Sequence, residues 1–497
     1  KGMRVVEAPA DLADAVAAAR RESGSAFGDD RVFLERYVAR ARHVEVQVVG
    51  DQHGDVVHLF ERECSIQRRH QKVVEESPSP GLSTERREEL CAAAVAAARA
   101  VDYVGAGTVE FVLDDDSGEF AFLEMNTRLQ VEHPVTEEVT GVDLVRWQLL
   151  VARGLPLPMA QDQITTSGHA IEVRLYAEDP GNDYLPVTGA LAGFRPADDV
   201  PLRWESGVVE GSVVSPFYDP MLAKVIASAP SREEAATLLA RGLERTVIQG
   251  VTTNRDLLVA VLRDGAFLAG DTTTGYLADR FATAADRRFP PSDAAADLAV
   301  VTAVVGEQLA DPTPAWSGVP AAFSNTGLGP FAVPVLVAGE HRTATVERDR
   351  DGTWRVAPRG EGTVAVRVLE RRPDGLRLDV DGHRFDALLH VDGPSVQVVL
   401  PGANVTLHRE PRFPAARAVD EPGAALSPMP GSVVEVLVEE GQRVARGDVL
   451  VAVEAMKMEH RIAADVDGVV VQVRVEAGAQ VEADDVLVVV EADEDAG

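Results

Sequence analysis

Hydrophobic and polar positions follow two different rhythms along this chain, and the change between them divides it. Up to about residue 290, helical spacing alternates with short runs of period two. A helix is expected over Asp11 to Arg21, followed by strands at Val32 to Tyr37, His43 to Val49 and Val56 to Glu61. The Ala-rich run Glu85 to Ala100 predicts a second helix, ended by Gly105-Ala-Gly107. Ser231, with Glu234 three residues on, predicts a capped helix over Arg232 to Glu244. This mixture reads as α+β and mostly antiparallel. An Ala/Val-rich helical stretch, Pro291 to Asp311, comes next. Short strands then recur at Phe331 to Val337, Thr343 to Val346, Thr363 to Val368, Leu376 to Val380, Phe385 to His390 and Ser395 to Leu400. Their turns of Gly, Asp and Pro predict a small all-β barrel or sandwich. Glu410 to Ser427, rich in Pro and Ala, reads as a tether that lets the C-terminal segment move.

The last rhythm is a repeat. Gly431 to Gly441 with Val449 to Glu454 aligns without gaps on Gly468 to Gly478 with Val486 to Glu491, and more than half the paired residues are identical. Each copy alternates Val or Leu with polar residues, so each reads as short strands with one buried face. Two such units close on each other about a pseudo-twofold axis. The segment Glu454-Ala-Met-Lys-Met-Glu-His460 then crosses outside as a hairpin that presents Lys457 to solvent. Most lysines on hairpins are only solvated charges. Exposed Met456 and Met458 on both sides of this one predict a surface offered to a partner.

The densest chemistry lies in Thr108 to Asn126, two alternating strands around the turn Asp114 to Gly118. If Asp116 opposes Gly118, Glu110 opposes Glu124 by the same symmetry. Opposed residues share a face, with Cβ atoms about 4.5–5.5 Å apart. Two carboxylates that close repel unless a cation lies between them. Asn126 shares their face, and Glu, Glu and Asn are hard oxygen ligands suited to Mg²⁺ or Mn²⁺. A solvated strand pair would explain the two glutamates alone. However, Arg128, Gln130 and Glu132 continue the parity, so an extended chain would line up a polar wall. Upstream, Arg68, Arg69, His70 and Lys72 form a basic cluster of the kind polyphosphate requires. Arg174 lies in the alternating run His169 to Glu178.

Composition narrows the readings. The 497 residues are too many for one core. A net charge of −32 opposes binding to nucleic acid or an anionic membrane surface. Cys64 and Cys91 are the only cysteines and suggest neither a bridge nor a metal site, which fits a reducing cytoplasm. There is no signal peptide and no apolar stretch of membrane-spanning length. The start Lys1-Gly-Met-Arg4 reads as the interior of a longer protein.

Gln67 to Glu76, Phe122 to Thr136 and Gly168 to Arg174 resemble the ATP-grasp biotin carboxylase component of biotin-dependent carboxylases. Ala455-Met-Lys-Met458 resembles the biotinylation sequence of carrier domains with the biotinyl/lipoyl fold, and a lipoylated lysine would usually sit next to Asp. Over nearly its full length the chain is similar to the α subunit of an acyl-CoA carboxylase of acetyl-, propionyl- or 3-methylcrotonyl-CoA type.

The resemblance implies a biotin carboxylase over 1–290, a helical connector over 291–329 and a β-rich domain over 330–409 that docks a carboxyltransferase β subunit. A linker over 410–427 and a biotinyl domain over 428–492 complete it. Glu110, Glu124 and Asn126 would hold the metal. Glu35, Arg36 and Val38 would lie at the adenine of ATP, with His43, Gln67 and His70 near ribose and phosphates. Lys72, Arg128 and Val131 would position bicarbonate, Glu132 would be its general base, and Arg174 would stabilise the biotin enolate. Bicarbonate would attack the γ-phosphate, and breakdown of carboxyphosphate would carboxylate biotin on Lys457.

Biotin protein ligase and the β subunit are the implied partners in a hetero-oligomer, with bicarbonate and acyl-CoA as substrates. The family's N-terminal nucleotide-binding subdomain and phosphate loop would precede Lys1, so the chain alone is expected to be inactive. Two alternatives remain: a non-catalytic biotinyl carrier and scaffold, and a relative of urea carboxylase.

Overall fold

The structure is a computed structural model that describes residues 3–68, 71–310, 329–411, 423–456 and 458–493. Arg69, His70, residues 412–422 of the expected linker, residues 311–328 of the expected connector and Lys457 lie outside the described residues.

Alternation through the first third of the chain produces β1 (Ala41–Gly50), β2 (Val56–Arg68), β3 (Gln71–Ser77), β4 (Gly105–Asp114) and β5 (Phe120–Asn126). With β6 (His169–Tyr176) and the strands Met221–Ala229 and Arg203–Ser206 they make one eight-stranded sheet. Its order is Arg203–Ser206, Met221–Ala229, β6, β3, β2, β1, β4, β5. Every neighbouring pair is antiparallel.

One face of the sheet is apolar along its length. Even positions Val44, Val46 and Val48 of β1 and odd positions Val109 and Phe111 of β4 pack under α2 (Thr84–Ala100). Ser83 caps that helix by accepting from the Arg86 amide. Ile171, Val173 and Leu175 of β6 pack under α5 (Arg232–Arg245) and α6 (Arg255–Arg263). Ser231 accepts from the Glu234 amide at the start of α5. The opposite face carries the polar residues, and α3 (His133–Thr140) lies over part of it through Val135 and Val139.

Two expectations for this region fail. Residues 29–40 form no strand, because no neighbouring strand pairs with them, and Phe33, Leu34 and Tyr37 are largely exposed. The wall expected over Glu124 to Glu132 is not one extended chain either. β5 ends at Asn126, and a turn leads into α3 at His133.

Between Phe331 and Arg409 eight strands close into a barrel. Two of them, Trp354–Ala357 and Ala403–Arg409, escape the alternation signal because they are short or rich in polar residues. The helix Asp293–Ala310, expected as a connector, is packed into the barrel. Ala299, Val300, Val301, Val304 and Val305 share one core with Val346, Trp354, Val366, Leu378 and Val398. Asp297 near its start accepts from Arg342 and Arg359 on the barrel wall.

The repeat folds into two four-stranded sheets, and each takes strands from both copies. Gly431–Val436 of the first copy pairs with Gln480–Val481 of the second, and Arg443–Val444 pairs with Gly468–Val473. A Cβ on Gly431 or Gly468 would press on the carbonyl of Glu454 or Glu491, so these equivalent glycines mark the same close backbone crossing. Ala455 pairs with Met458 across the hairpin. Met456 is not the exposed side chain expected: it is 4% exposed and joins the carboxylase core, and its amide donates to the Pro216 carbonyl at 3.1 Å.

Candidate active site

The polar face of the sheet holds a continuous network of charges. Alternation places His43, Glu45 and Gln47 of β1 on this face beside Thr108 and Glu110 of β4. Glu45 opposes Glu110, and Glu110 opposes Glu124 of β5, so three carboxylates stand in a row across three strands. The Glu110–Glu124 pairing was expected, but it arises differently. The turn closes one position off the expected register, with Leu113 opposite Phe120, and a bulge next to Glu110 restores the pairing.

Lys72 neutralises this row at its inner end. Its Nζ donates to Glu45 Oε2 at 2.5 Å, Glu132 Oε1 at 2.6 Å and Glu110 Oε1 at 3.2 Å. Behind it Arg62, fully buried, donates to Glu45 at 2.6 Å, Gln47 at 2.8 Å, Thr136 at 3.0 Å and Thr108 at 3.2 Å. Burial pushes the Glu45 carboxyl up, but Lys72 and Arg62 outweigh it and leave it at about 2. Glu110 likewise falls to about 2, because His43 and Lys72 overcome its desolvation. The Gln67 amide donates to His43 Nδ1 at 2.8 Å, which fixes the proton on Nε2 facing Glu110 at 2.7 Å.

Glu132 is the junction between the two halves of the network. One oxygen takes the Lys72 ammonium, and the other accepts from Arg174 Nη2 at 3.0 Å. Arg174 Nε meanwhile donates to Glu75 at 2.6 Å. Strict alternation would put Lys72 and Glu75 on opposite faces. Paired bulges in β2 and β3 insert an extra residue at Val73 and turn both inward. The turn that carries Glu132 is held by Lys224, whose Nζ donates to the Val131 carbonyl at 2.7 Å. Arg128 donates to Gln130 at 2.7 Å, and Gln130 donates to Glu110 at 3.3 Å.

The donor set fits a divalent cation at the outer end of the row. Asn126 Nδ2 lies between Glu110 at 2.8 Å and Glu124 at 3.2 Å, and a flip of that amide would present three hard oxygens to one point. The inner end, between Glu45, Glu110 and Glu132, is filled by the Lys72 ammonium.

The structure therefore gathers Lys72, Glu110, Glu124, Asn126, Arg128, Val131, Glu132 and Arg174 with His43 and Gln67. Arg68 does not join them: it pairs with Glu178 at 2.7 Å and stacks over the Tyr184 ring. Glu35, Arg36 and Val38 lie in the irregular segment, and no described hydrogen bond or ion pair links them to the network; Arg36 has a 3.8 Å contact with Glu119. His70 and Lys457 lie outside the described residues. Sequence reasoning missed Glu45, Arg62, Glu75, Glu172 and Lys224. The parity of Glu45 with His43 was a usable signal, whereas the others depend on strand neighbours far apart in sequence. Cys64, read as uninvolved, lies beside the network, and burial raises its thiol well above the usual range.

Comparison with known proteins places these parts in order. Residues 1–160 match the carbamoyl-phosphate synthase L chain ATP-binding domain, 172–279 the biotin carboxylase C-terminal domain, and 425–490 the biotin-requiring enzyme domain. The chain is 39% identical to the mitochondrial methylcrotonoyl-CoA carboxylase subunit alpha of Dictyostelium discoideum, over 94% of this chain and 69% of that protein. It is 36% identical to the propionyl-CoA carboxylase alpha chain of Ruegeria pomeroyi, over 94% and 72%. Among solved structures, the Campylobacter jejuni biotin carboxylase β,γ-ATP complex aligns with a TM-score of 0.54 and 41% identity, over 56% of this chain and 62% of that one. The biotin carboxylase domain of Hydrogenobacter thermophilus 2-oxoglutarate carboxylase, in complex with MgADP, ADP and bicarbonate, aligns with a TM-score of 0.56 and 39% identity. That match covers 59% of this chain and 63% of that one.

Proposed function

Because the chain belongs to the family of biotin-dependent acyl-CoA carboxylase α subunits, in which an ATP-grasp biotin carboxylase is joined to a biotinyl carrier, we propose that the polar face of its sheet carboxylates biotin held on Lys457. The observation that carries this reading is Glu132 fixed between Lys72 and Arg174, beside a carboxylate row built to take a cation.

In this reading Glu110, Glu124 and Asn126 would hold Mg²⁺ or Mn²⁺, which would supply positive charge for ATP phosphate oxygens, and biotin would supply the nitrogen that accepts the carboxyl group. Lys72, Arg128 and the Val131 backbone hold bicarbonate by its negative charge. Glu132, whose two oxygens are oriented by cations on either side, takes the bicarbonate proton as the bicarbonate oxygen bonds to the γ-phosphorus and the bond from that phosphorus to ADP breaks. Arg174, held by Glu75 and Glu132, would present a fixed positive charge where negative charge develops on biotin. His43 and Gln67 approach the ribose and phosphates together with His70, while Glu35, Arg36 and Val38 contact adenine. The barrel over residues 331–409 docks the carboxyltransferase β subunit, on which the acyl-CoA binds, and biotin protein ligase loads Lys457.

A cytoplasmic setting belongs to the same reading and is supported by two buried, unbridged cysteines. Among the described residues no helix is long and apolar enough to cross a membrane.

Intact-mass spectrometry after co-expression with biotin protein ligase tests the carrier assignment. The expected result is one biotin on Lys457, lost in Lys457→Ala. An unmodified or lipoylated Lys457 overturns it.

A further inference from the structure

Beside Arg174 stands a pair of acids that the reaction does not use, and one of them, Glu75, accepts from its Nε. Glu75 on β3 and Glu172 on β6 are direct cross-strand partners, and both are completely buried. Glu75 Oε1 accepts from Arg174 Nε, but its Oε2 has no hydrogen-bond partner, and neither oxygen of Glu172 has one. On its other flank Glu172 faces Ile226, next to the apolar cluster of Val135, Val139, Ala170 and Ile226 under α3.

The charged and titratable groups turned toward the pair are Cys64, Lys72, Glu132, Arg174, Tyr176 and Lys224. Neither lysine is hydrogen-bonded to the pair, and Arg174 bonds it only through Glu75 Oε1. Lys72 is held by Glu45, Glu110 and Glu132, Lys224 by Glu205 and the Val131 carbonyl, and Arg174 is divided between Glu75 and Glu132. Two adjacent, desolvated carboxylates without a cation between them cannot both stay charged.

We propose that Glu75 and Glu172 share one proton, Glu172 being the neutral acid that donates to Glu75 Oε2, and that this pair positions Arg174 toward Glu132. Loss of the proton to solvent puts a second negative charge behind Arg174 and draws the guanidinium away from Glu132. Burial acts in the same sense: it pushes Glu75 up to about 7 and Glu172 well above the usual carboxylate range, against the pull of Arg174 on both and of Lys224 on Glu172. The role of the pair in turnover rests on the carboxylase reading. The shared proton does not.

The test is the infrared difference spectrum of wild type minus Glu172→Gln at pH 7. A protonated-carboxyl C=O stretch, shifted in D₂O, is expected in wild type and lost in the variant. Because the folded wild type holds a proton that the unfolded chain releases, its stability is full below the unfolded pKa and falls as pH rises through the folded one. The folding constant of Glu172→Gln relative to wild type should therefore rise about tenfold per pH unit from pH 5 until the pair ionises. No lost band, or parallel stability profiles, overturns the shared proton.

Should Glu172→Gln fail to fold, Glu75→Gln keeps the proposal exposed. The band must persist there at a shifted frequency, and its disappearance refutes the assignment to Glu172. In the assembled enzyme, Glu172→Gln should move the alkaline limb of bicarbonate-dependent ATP cleavage to higher pH. An unmoved limb with the band confirmed overturns the positioning role, whereas an unbiotinylated wild type overturns the carboxylase reading and leaves the proton standing.

Discussion

Replacing Arg62 by Met should destabilise the carboxylase sheet more than any single change at the exposed ion pairs. The side chain has no solvent exposure and donates to four acceptors at 2.6 to 3.2 Å. Met fills much of the same volume, so the loss is mainly one of charge and hydrogen bonding. Removing one partner of a buried ion pair costs about 3–5 kcal/mol, since it strands the other charge. Here Lys72 still reaches Glu45, which limits that cost. Gln47, Thr108 and Thr136 lose a donor each, at about 1 kcal/mol apiece if they find no new partner. With the ion-pair cost cut to about 1 kcal/mol by Lys72, the net loss is about 4 kcal/mol. In a domain of this size it lowers Tm by about 8–16 °C.

Differential scanning calorimetry at pH 7 reads the shift, with the barrel and carrier transitions as internal references. Arg203→Met is the control: Arg203 also touches three carboxylates, but it is about one-third exposed, and screening limits its worth to about 1 kcal/mol or less. Adding Glu45→Leu to Arg62→Met should cost less than the sum of the two single changes, because no stranded carboxylate remains. If Arg62→Met shifts Tm no more than Arg203→Met, the network is not what holds this face together.

Glu124→Gln should weaken Mg²⁺-dependent ADP binding by at least about tenfold in isothermal titration while metal-free ADP binding is unchanged; equal loss in both would remove Glu124 from the metal. Gly468→Ala places a Cβ 2.1 Å from the Glu491 carbonyl and should abolish the carrier transition and biotin loading. Gly478→Ala meets no atom but sits at φ +89°, so it should cost only about 1–2 kcal/mol. Glu76 is buried, yet its hydrogen bonds to His169 and Arg232 outweigh desolvation and hold its pKa below the usual value. Its contribution is therefore present above about pH 4.5 and lost as pH falls through the folded pKa. The stability gap between wild type and Glu76→Gln should be widest at neutral pH and close in acid; a gap that persists in acid would show a steric origin.

The sequence by itself determined whatever is local or duplicated. Period-two alternation located β1, β2, β4, β5, β6 and six strands of the barrel, the serine before Arg232 marks a helix start, and the repeat with its glycines specified a twofold carrier around Lys457. The turn symmetry anticipated Glu110 opposite Glu124, although a bulge and not that symmetry produces the pairing. Tertiary structure decided what depends on which strand lies beside which. Bulges at Glu110 and Val73 set the faces of Glu124, Lys72 and Glu75, and a bulge is a one-residue slip that leaves little trace in composition. Arg62, Lys224 and Glu75 became part of the network because β1, β2, β3, β6 and the strand Met221–Ala229, far apart along the chain, are neighbours in the sheet. Met456 was exposed on the carrier's own pattern and is buried against Pro216, a surface that alternation within the carrier does not encode. Hydrophobic periodicity reports the burial of an element against its own core, whereas the pairing of charges across a sheet is fixed only when distant strands close the distance between them.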